Sequence, residues 1–288
     1  MILVTGATGH LGKATIDFLL KKGIPAKNIS ALVRDMAKAG DLKTKGINIK
    51  IGNYDDYASL VTAFENVDKL LLVSGSDIHN RQQQQENAVK AAKEAGVKHI
   101  VYTSFVRSNE TGTSPIAFVG KSHMATDKSI KASGIPYTIM LNSLYADMLP
   151  IFVGEKVLET GIFLPAGDGK TSFTTRLDMA EAAASILAGE GHENKEYVIA
   201  NTSNYSMTDV ATILSELSGK KITYTSPSNE VYVEIVSSAG VPMEYAKMFA
   251  AFSEAIKQNE FDTATSDLEK LIGRKPTGLK DYLKSVYL

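Results

Sequence analysis

The chain contains no cysteine, has almost no net charge and has no long apolar run. Without cysteine, disulfides, thiolate metal sites and cysteine nucleophiles are excluded. No apolar stretch approaches the roughly 18 residues that a helix needs to span a bilayer. The formal net charge of -1 gives no basic surplus of the kind that binds nucleic acid. We therefore expect neither a nucleic-acid partner nor a membrane partner.

The histidines also lack a pattern. Their spacing is not typical of metal ligands, so we expect no metal site among His10, His79, His99, His123 and His192. The first apolar run begins at residue 2, which leaves no room for a signal peptide and predicts a cytoplasmic location. With 288 residues and 44% hydrophobic content, the chain can form one large core and a smaller lobe.

Three glycines with the spacing GxxGxxG follow the apolar run at residues 2–4 and open an amphipathic stretch: Gly6, Gly9 and Gly12. Glycines let a backbone turn sharply and approach phosphates closely, and the free amides and dipole of the following helix favour negative charge. The order of strand, glycine turn and helix therefore predicts a pyrophosphate site. The alternative is a glycine-rich loop without a ligand, but the position of the turn favours dinucleotide binding.

A second predicted strand, at residues 29–33, ends about twenty residues beyond the glycines, where dinucleotide-binding folds contact the ribose. An acidic residue there binds the 2′-hydroxyl of NAD, whereas an arginine accommodates the 2′-phosphate of NADP. Arg34 occupies this position, and Asp35 comes one position late. This arrangement favours NADPH over NADH. The alternative is a solvated surface pair between Arg34 and Asp35.

Strand and helix patterns alternate along the first half of the chain, which predicts a parallel sheet covered by helices on both faces. Strands are predicted at residues 2–4, 29–33, 48–51, 69–73, 99–103 and 137–141, and helices at 57–64, 81–95 and 121–133. The four glutamines at 82–85 are expected on a solvated helix face. The expected fold class is α/β, a Rossmann fold with a doubly wound parallel sheet.

Beyond residue 141 the pattern becomes less regular. A helix at 177–187, capped by Asp178 or a neighbour, and a strand at 196–199 are predicted to return to the main sheet. Further helices are predicted at 206–218, 230–238, 245–258 and 279–286. We expect an NADP-binding domain over residues 1–150, rejoined by 176–204, and a smaller, mostly helical C-terminal lobe formed by 151–175 and 205–288.

Ligands of open α/β sheets bind outside the carboxyl ends of the strands. Three predicted strand ends therefore indicate the pocket, namely Ser74, Gly75 and Ser76, then Thr103, Ser104 and Phe105, then Asn142, Ser143, Leu144 and Tyr145. We expect the first group to let a ribose pass closely and the hydroxyls of the second to contact it. Ordinary turn formation by serine and glycine is the alternative.

The sequence lacks the proton-donating pair that short-chain dehydrogenases use on ketones, a tyrosine followed by a lysine four residues later. None of the twelve tyrosines has a lysine at that position. If Asp127 marks the acidic position that often follows the lysine, Val119 replaces the tyrosine and His123 the lysine. A hydride acceptor must then be electron-poor, as quinones and cationic dyes are, because no strong acid is positioned beside it.

Two residues remain as catalytic candidates. His123 either donates a proton or bonds the nicotinamide ribose, or it is a helix-face histidine with a structural hydrogen bond. Tyr145 either packs an aromatic acceptor against the nicotinamide or belongs to the core.

Several segments together resemble the NmrA-like atypical short-chain dehydrogenases, and within them the NADPH-dependent quinone and triphenylmethane-dye reductase group. They are residues 4–12, 33–34, 96–100, 123–127, 142–145 and 214–221, and the resemblance covers almost the whole chain. It implies direct hydride transfer to a quinone-like acceptor, with no flavin. The implied NADPH site consists of Gly6, Thr8, Gly9, His10, Leu11, Gly12, Arg34, Ser74, Gly75, Ser76, Asn142, Ser143, Leu144 and Tyr145, to which the strand-end argument adds Thr103.

Two positions depart from this group. His10 stands where relatives often have glutamine, and Asn53 replaces an aspartate that is frequent after Gly52. The leading hypothesis is an NADPH-dependent reductase of a small aromatic substrate, a quinone or a related acceptor, in a chain expected to form a homodimer. The alternative is a non-catalytic NADP-binding redox sensor of the NmrA type, which predicts a surface patch for a partner instead of an open pocket. A sugar-nucleotide or flavonoid-type enzyme is disfavoured, because the former needs the absent pair.

Overall fold

Seven parallel strands form the central sheet of the computed structural model, which describes residues 1–288. In chain order the strands are β1 (Ile2–Val4), β2 (Ile29–Val33), β3 (Asn48–Ile51), β4 (Lys69–Leu72), β5 (His99–Phe105), β6 (Tyr137–Asn142), β7 (Ile162–Phe163), β8 (Lys195–Ile199) and β9 (Tyr224–Thr225). The central sheet has the order β3-β2-β1-β4-β5-β6-β8, and β7 pairs with β9 in a separate two-stranded sheet.

The direction of winding reverses at β1, which has β2 on one side and β4 on the other. Val4 is in register with Ala31 of β2 and with Leu71 of β4, and all three side chains are buried. At such a switch point the connections leave the sheet in opposite directions and open a crevice at the carboxyl ends of the strands. The predicted glycine turn follows β1 directly and therefore lies at this crevice.

Helices cover both faces of the sheet and form most of the C-terminal half. They are α1 (His10–Lys21), α2 (Gly40–Thr44), α3 (Tyr57–Phe64), α4 (Arg81–Glu94), α5 (Ala117–Ser133), α6 (Leu149–Val153), α7 (Val157–Thr160), α8 (Arg176–Ala188), α9 (Met207–Ser218), α10 (Asn229–Ser238), α11 (Met243–Lys257), α12 (Asp267–Ile272) and α13 (Leu279–Tyr287). None of them combines the length and the apolar character that crossing a membrane requires.

The predicted doubly wound parallel sheet is confirmed, and a strand forms in each of the six regions where one was predicted in the first half. Helix α5 begins four residues before its predicted start, because Ile116 precedes it and offers no side-chain cap that the sequence could signal. Helix α8 is capped by Thr175, whose side chain accepts from the amide of Asp178. The short helices α2, α6, α7 and α12 were not predicted, since helices of one or two turns depend on tertiary contacts.

The solvated face expected for the four glutamines is wrong for two of them. Gln84 is 8% exposed and Gln85 is fully buried, because α4 packs against both α3 and α5. The side-chain amide of Gln84 donates to Asp55 at 3.0 Å, and that of Gln85 donates to Thr126 at 2.7 Å. The glutamines therefore link α4 to neighbouring elements.

A second apolar core lies in the C-terminal half, where Phe173, Leu214, Ile256 and Phe261 are among its fully buried or nearly buried members. Residues 176–204 contact the first half in two ways, since β8 pairs with β6 and α8 packs against α1. The division of the chain at residue 150 stays a prediction. The carboxyl ends of β5 and β6 face the second core, and this contact positions the cavity described below.

Candidate cofactor and substrate site

The glycine turn brings the start of α1 against the end of β1. Gly6 has a φ of +57°, in the left-handed region that glycine adopts without strain. Its carbonyl accepts a hydrogen bond from the Gly9 amide at 2.9 Å. A Cβ atom at Gly12 would stand 2.4 Å from the Gly6 carbonyl oxygen, so this approach requires glycine.

The amino end of α1 carries free backbone donors. The amide of Lys13 donates to the Gly9 carbonyl at 3.0 Å, but the amides of Leu11 and Gly12 have no acceptor in the chain. Exposed Thr8, Gly9 and His10 line a shallow cleft at this position. Free amides at a helix start, together with the helix dipole, form a site for a phosphate group.

Arg34 follows β2 and is exposed to solvent, with no ion pair to a carboxylate. The expected alternative, a surface pair with Asp35, is not formed. The Asp35 carboxylate instead accepts from the Ala37 amide at 2.9 Å and caps a short 3-10 turn. The guanidinium of Arg34 is therefore free to bind a ligand phosphate at the edge of the crevice.

The loop after β4 is fixed to β5. The amide of Ser74 donates to the hydroxyl oxygen of Thr103 at 2.9 Å, and Thr103 is itself buried. Gly75 and Ser76 line a cavity together with Ser74 and with Ser104 of β5. The hydroxyl of Thr103 thus holds the loop against β5, and the loop forms the polar side of the cavity.

This cavity has a volume of about 280 Å³ and lies at the carboxyl ends of β4, β5 and β6. Its apolar wall comes from the end of β5, from α5, α6 and α11, and from the segment that precedes α6: Phe105, Val119, Leu144, Met148, Phe152, Met248, Phe249 and Phe252. The rings of Phe152 and Phe249 meet edge to face, with centroids 5.6 Å apart. Such a wall suits a flat apolar or aromatic ligand.

The end of β6 and the loop after it contribute polar groups that differ in their hydrogen bonds. Asn142 is fully buried and neither side-chain polar atom has a partner, whereas the Ser143 hydroxyl donates to the Ser172 carbonyl at 2.7 Å. Tyr145 lines the cavity, and burial raises the pKa of its hydroxyl. The guanidinium of Arg176 lies 4.7 Å from the centre of the Tyr145 ring.

His123 projects from α5 into the same cavity and is 4% exposed. Its ring lies nearly parallel to that of Phe105, with centroids 5.8 Å apart. Burial lowers the pKa of His123 well below its ordinary value of 6.5, and the nearby guanidinium groups of Arg81 and Arg107 lower it further. The imidazole is therefore neutral at neutral pH.

The partners of His123 determine which ring nitrogen carries the proton. Thr126 donates to the Ser122 carbonyl at 2.8 Å, so its oxygen accepts from the amide nitrogen of Gln85. Gln85 then presents its carbonyl oxygen to Tyr102, whose hydroxyl donates to it at 3.2 Å. Because the hydroxyl proton of Tyr102 is donated to Gln85, the hydroxyl oxygen is left to accept a hydrogen bond from Nδ1 of His123, at 2.8 Å.

The neutral ring consequently carries its proton on Nδ1, and Nε2 is a hydrogen-bond acceptor. Nε2 of His123 has no partner in the chain and is not enclosed, so it is accessible from the cavity. The hydrogen bond between His123 and Tyr102 is the structural role that the sequence allowed for this histidine. Toward a ligand, Nε2 is an acceptor, whereas the sequence also allowed His123 to donate a proton.

Arg81 begins α4 and lines the cavity, although it is only 6% exposed. Its Nε donates to the Ser122 hydroxyl at 2.9 Å and one terminal nitrogen donates to the Val119 carbonyl at 3.2 Å. The other terminal nitrogen is 3.5 Å from the Gly75 carbonyl. Burial lowers the pKa of Arg81, and no carboxylate pairs with it.

Sequence reasoning missed most of the apolar side of the cavity. It named Phe105, but neither arginine of the cavity and none of the lining residues in α6 and α11. Met248, Phe249 and Phe252 follow the spacing of an amphipathic helix, which is the same signal that core residues give. A local pattern cannot distinguish a side chain that faces a cavity from one that faces the core.

No three His, Asp or Glu side chains are close enough together to hold a metal ion. Val119 and His123, which the sequence predicts at the two positions of the Tyr and Lys pair, both line the cavity. The cavity lining contains one tyrosine, Tyr145, and no lysine.

Comparison with known proteins gives a consistent result. A model of the NmrA-like family matches residues 1–283. Quinone oxidoreductase 2 of Escherichia coli (strain K12) is 38% identical over 288 residues, covering 100% of this chain and 99% of that protein.

Two solved structures share the fold over essentially their whole length. The triphenylmethane reductase of Citrobacter sp., complexed with NADP(H), is 40% identical with a TM-score of 0.92, covering 99% of this chain and 100% of the other. The NADPH-dependent quinone oxidoreductase of Escherichia coli, complexed with NADPH, is 36% identical with a TM-score of 0.93, and each chain is covered completely.

Proposed function

The chain belongs to the NmrA-like family, and from this premise we propose that it is an NADPH-dependent oxidoreductase that transfers a hydride to a quinone or a similar electron-poor aromatic acceptor. The observation that carries the proposal is the aromatic-walled cavity at the carboxyl ends of β4, β5 and β6. It lies on the same edge of the sheet as the glycine turn. A cofactor bound along this edge extends from the turn toward the cavity.

The residues of the turn fit a dinucleotide. The unpartnered amides of Leu11 and Gly12 would hold the pyrophosphate, and the close approach at Gly12 keeps the backbone near it. Arg34, exposed and unpaired, would hold the 2′-phosphate that distinguishes NADPH from NADH. When bound, NADPH supplies the hydride.

The rest of the cavity orients the acceptor. Phe152, Phe249 and Phe252 exclude water and press against a flat ring, while Tyr145 and Nε2 of His123 offer polar contacts. A quinone needs no strong positioned acid, because the charge that develops on its oxygen is delocalised over the ring. The absence of a Tyr and Lys pair with the i, i+4 spacing therefore agrees with this acceptor class.

The proposal is tested by following NADPH oxidation with a benzoquinone and a naphthoquinone, with NADH in parallel. We expect turnover with both quinones and a marked preference for NADPH. The quinol formed should equal the NADPH consumed, since the transfer is direct. Tight binding of NADPH without turnover of either quinone would contradict the enzyme and favour the non-catalytic NADP-binding sensor.

A further inference from the structure

The lining of the cavity contains positively charged side chains and no negatively charged one. It includes the guanidinium groups of Arg81 and Arg176 and no aspartate or glutamate. Two carboxylates lie on adjoining segments. Asp127 pairs with Arg107 at 2.6 Å, and Asp147, which does not line the cavity, pairs with Arg176 at 3.8 Å. Arg81 is therefore the cavity cation that has no counter-ion.

Arg81 keeps unused donor capacity. A guanidinium has five N–H groups, and the chain offers Arg81 three acceptors, on Ser122, Val119 and Gly75. Two N–H groups are therefore left without an acceptor at a residue that lines the cavity. A buried cation without a counter-ion is costly. An oxygen of a bound ligand would accept hydrogen bonds from the N–H groups of Arg81 that have no acceptor in the chain.

The other polar groups of the cavity do not offset this charge. His123 is neutral at neutral pH, and the raised pKa of Tyr145 keeps its hydroxyl protonated. The surrounding wall is apolar, and charges in such surroundings interact over short distances with little screening. The uncompensated positive charge of Arg81 therefore acts on a ligand in the cavity with little screening.

We infer that this cavity selects its aromatic acceptor by charge, taking neutral or anionic quinones and discriminating against cationic triphenylmethane dyes, with Arg81 as the main determinant and Arg176 as the second. The inference rests on the proposed function. A quinone gains two electrons and one proton with the hydride and a second proton from solvent, and becomes the quinol. Arg81 stabilises the negative charge that develops on the quinone oxygen before the second proton arrives.

A binding experiment tests the charge preference without any turnover. Naphthalene-2-sulfonate and naphthalene-2-sulfonamide have nearly the same shape but differ in charge, and neither accepts a hydride. We expect calorimetry on the NADP-saturated protein to show tighter binding of the sulfonate, on the order of tenfold or more. Arg81→Met should abolish this preference and Arg81→Lys should retain part of it.

Two further variants complete the test. Arg176 is partly exposed, so Arg176→Met gives a second reading of the charge preference if Arg81→Met does not fold. Lys128→Met is the matched control, because Lys128 is an exposed cation on α5 that does not line the cavity. We expect the ratio of sulfonate to sulfonamide affinity to fall in Arg176→Met and to stay unchanged in Lys128→Met.

The charge preference can also be measured in turnover, by comparing kcat/KM for a naphthoquinone, its 2-sulfonate and a cationic triphenylmethane dye. The ratio of anion to neutral acceptor, taken between variant and parent, cancels the intrinsic reactivity of each acceptor. We expect Arg81→Met to lower this ratio and to raise the relative rate with the dye.

Equal binding of the sulfonate and the sulfonamide by the parent protein would overturn the inference. So would a shift of NADPH affinity alone in the arginine variants, which would assign these side chains to the cofactor phosphates. Failure of every acceptor to turn over would contradict the proposed function instead, and the binding comparison would still decide the charge preference.

Discussion

The two ends of the crevice are constructed differently. The proposed phosphate end consists mainly of backbone within a few consecutive residues, from Gly6 to the first turn of α1, and Arg34 adds one side chain. The acceptor end consists of side chains that approach one another only in the folded chain, from Arg81 of α4 to Phe252 of α11. One end depends on a local motif, and the other depends on how two cores meet.

This difference predicts different responses to mutation. At the phosphate end a methyl group added at Gly12 is disruptive, because a Cβ atom there would collide with the backbone of Gly6. Substitutions of exposed side chains other than Arg34 should have little effect there. At the acceptor end the backbone tolerates substitution, and each side chain changes the shape or the charge of the cavity.

Gly12→Ala is expected to have the largest effect. Its Cβ would lie 2.4 Å from the Gly6 oxygen and 2.7 Å from the Gly6 carbonyl carbon, so the turn has to move. We expect the free energy of unfolding to fall by about 3 kcal/mol. NADPH affinity should fall on the order of 100-fold, because the phosphate-binding amides shift. Urea denaturation and a fluorescence titration with NADPH measure the two effects.

Gly120→Ala is the control for this substitution. Gly120 lies inside α5, and a Cβ there would meet nothing within 4 Å. Alanine should stabilise the helix by up to roughly 1 kcal/mol and leave NADPH affinity unchanged. Equal losses in the two variants would show that close backbone approach is not what requires glycine at residue 12.

Arg34→Ala is expected to weaken NADPH binding on the order of 10- to 100-fold, because a charge-assisted contact with the 2′-phosphate is lost. Affinity for NADH, which lacks that phosphate, should not change. Lys38→Ala removes a neighbouring exposed cation and serves as the control. If both cofactors lose affinity equally in Arg34→Ala, the phosphate role of Arg34 is wrong.

Phe249→Ala is expected to raise the KM for a naphthoquinone about tenfold, because part of the aromatic wall is lost. The KM for NADPH should not change, since the phosphate end is separate from this wall. Tyr245→Ala on the same helix is the matched control, because Tyr245 is 49% exposed and does not line the cavity. A parallel rise in both KM values would indicate that the two ends are not independent.

The smallest expected effect concerns pH. Because the pKa of His123 is far below 6.5, the residue stays neutral from about pH 6 to pH 8, and kcat/KM for the quinone should be flat over that interval. A proton donor with an ordinary histidine pKa would instead lose activity as the pH rises through 6.5. Initial rates at fixed ionic strength distinguish these profiles.

Tyr102→Phe examines the hydrogen-bond chain behind His123. It leaves Nδ1 of His123 and the carbonyl oxygen of Gln85 without their partner. We expect a few-fold loss of kcat and a destabilisation of about 1–3 kcal/mol, because two buried polar groups lose a hydrogen bond. An unchanged kcat would show that the orientation of His123 does not matter for the reaction.

Much of the fold could be predicted from the sequence because its signals are local. Most predicted strands of the central sheet are short apolar runs, and the glycine turn of residues 6–12 needs only neighbouring residues to form. Arg34 could be located by its distance from the turn along the chain. The same reasoning failed for Gln85, since its burial depends on the packing of α4 between two other helices.

The sequence by itself determined the glycine turn after β1, the parallel sheet and the absence of cysteine chemistry, because spacing and composition are sufficient for each of these. Only the tertiary structure decided the acceptor end. Arg81, Arg176 and Phe249 are far apart in the chain, and their side chains line one cavity because the C-terminal core packs onto the carboxyl ends of β5 and β6. The protonated nitrogen of His123 was decided in the same way, since its hydrogen-bond partner comes from another element of the fold.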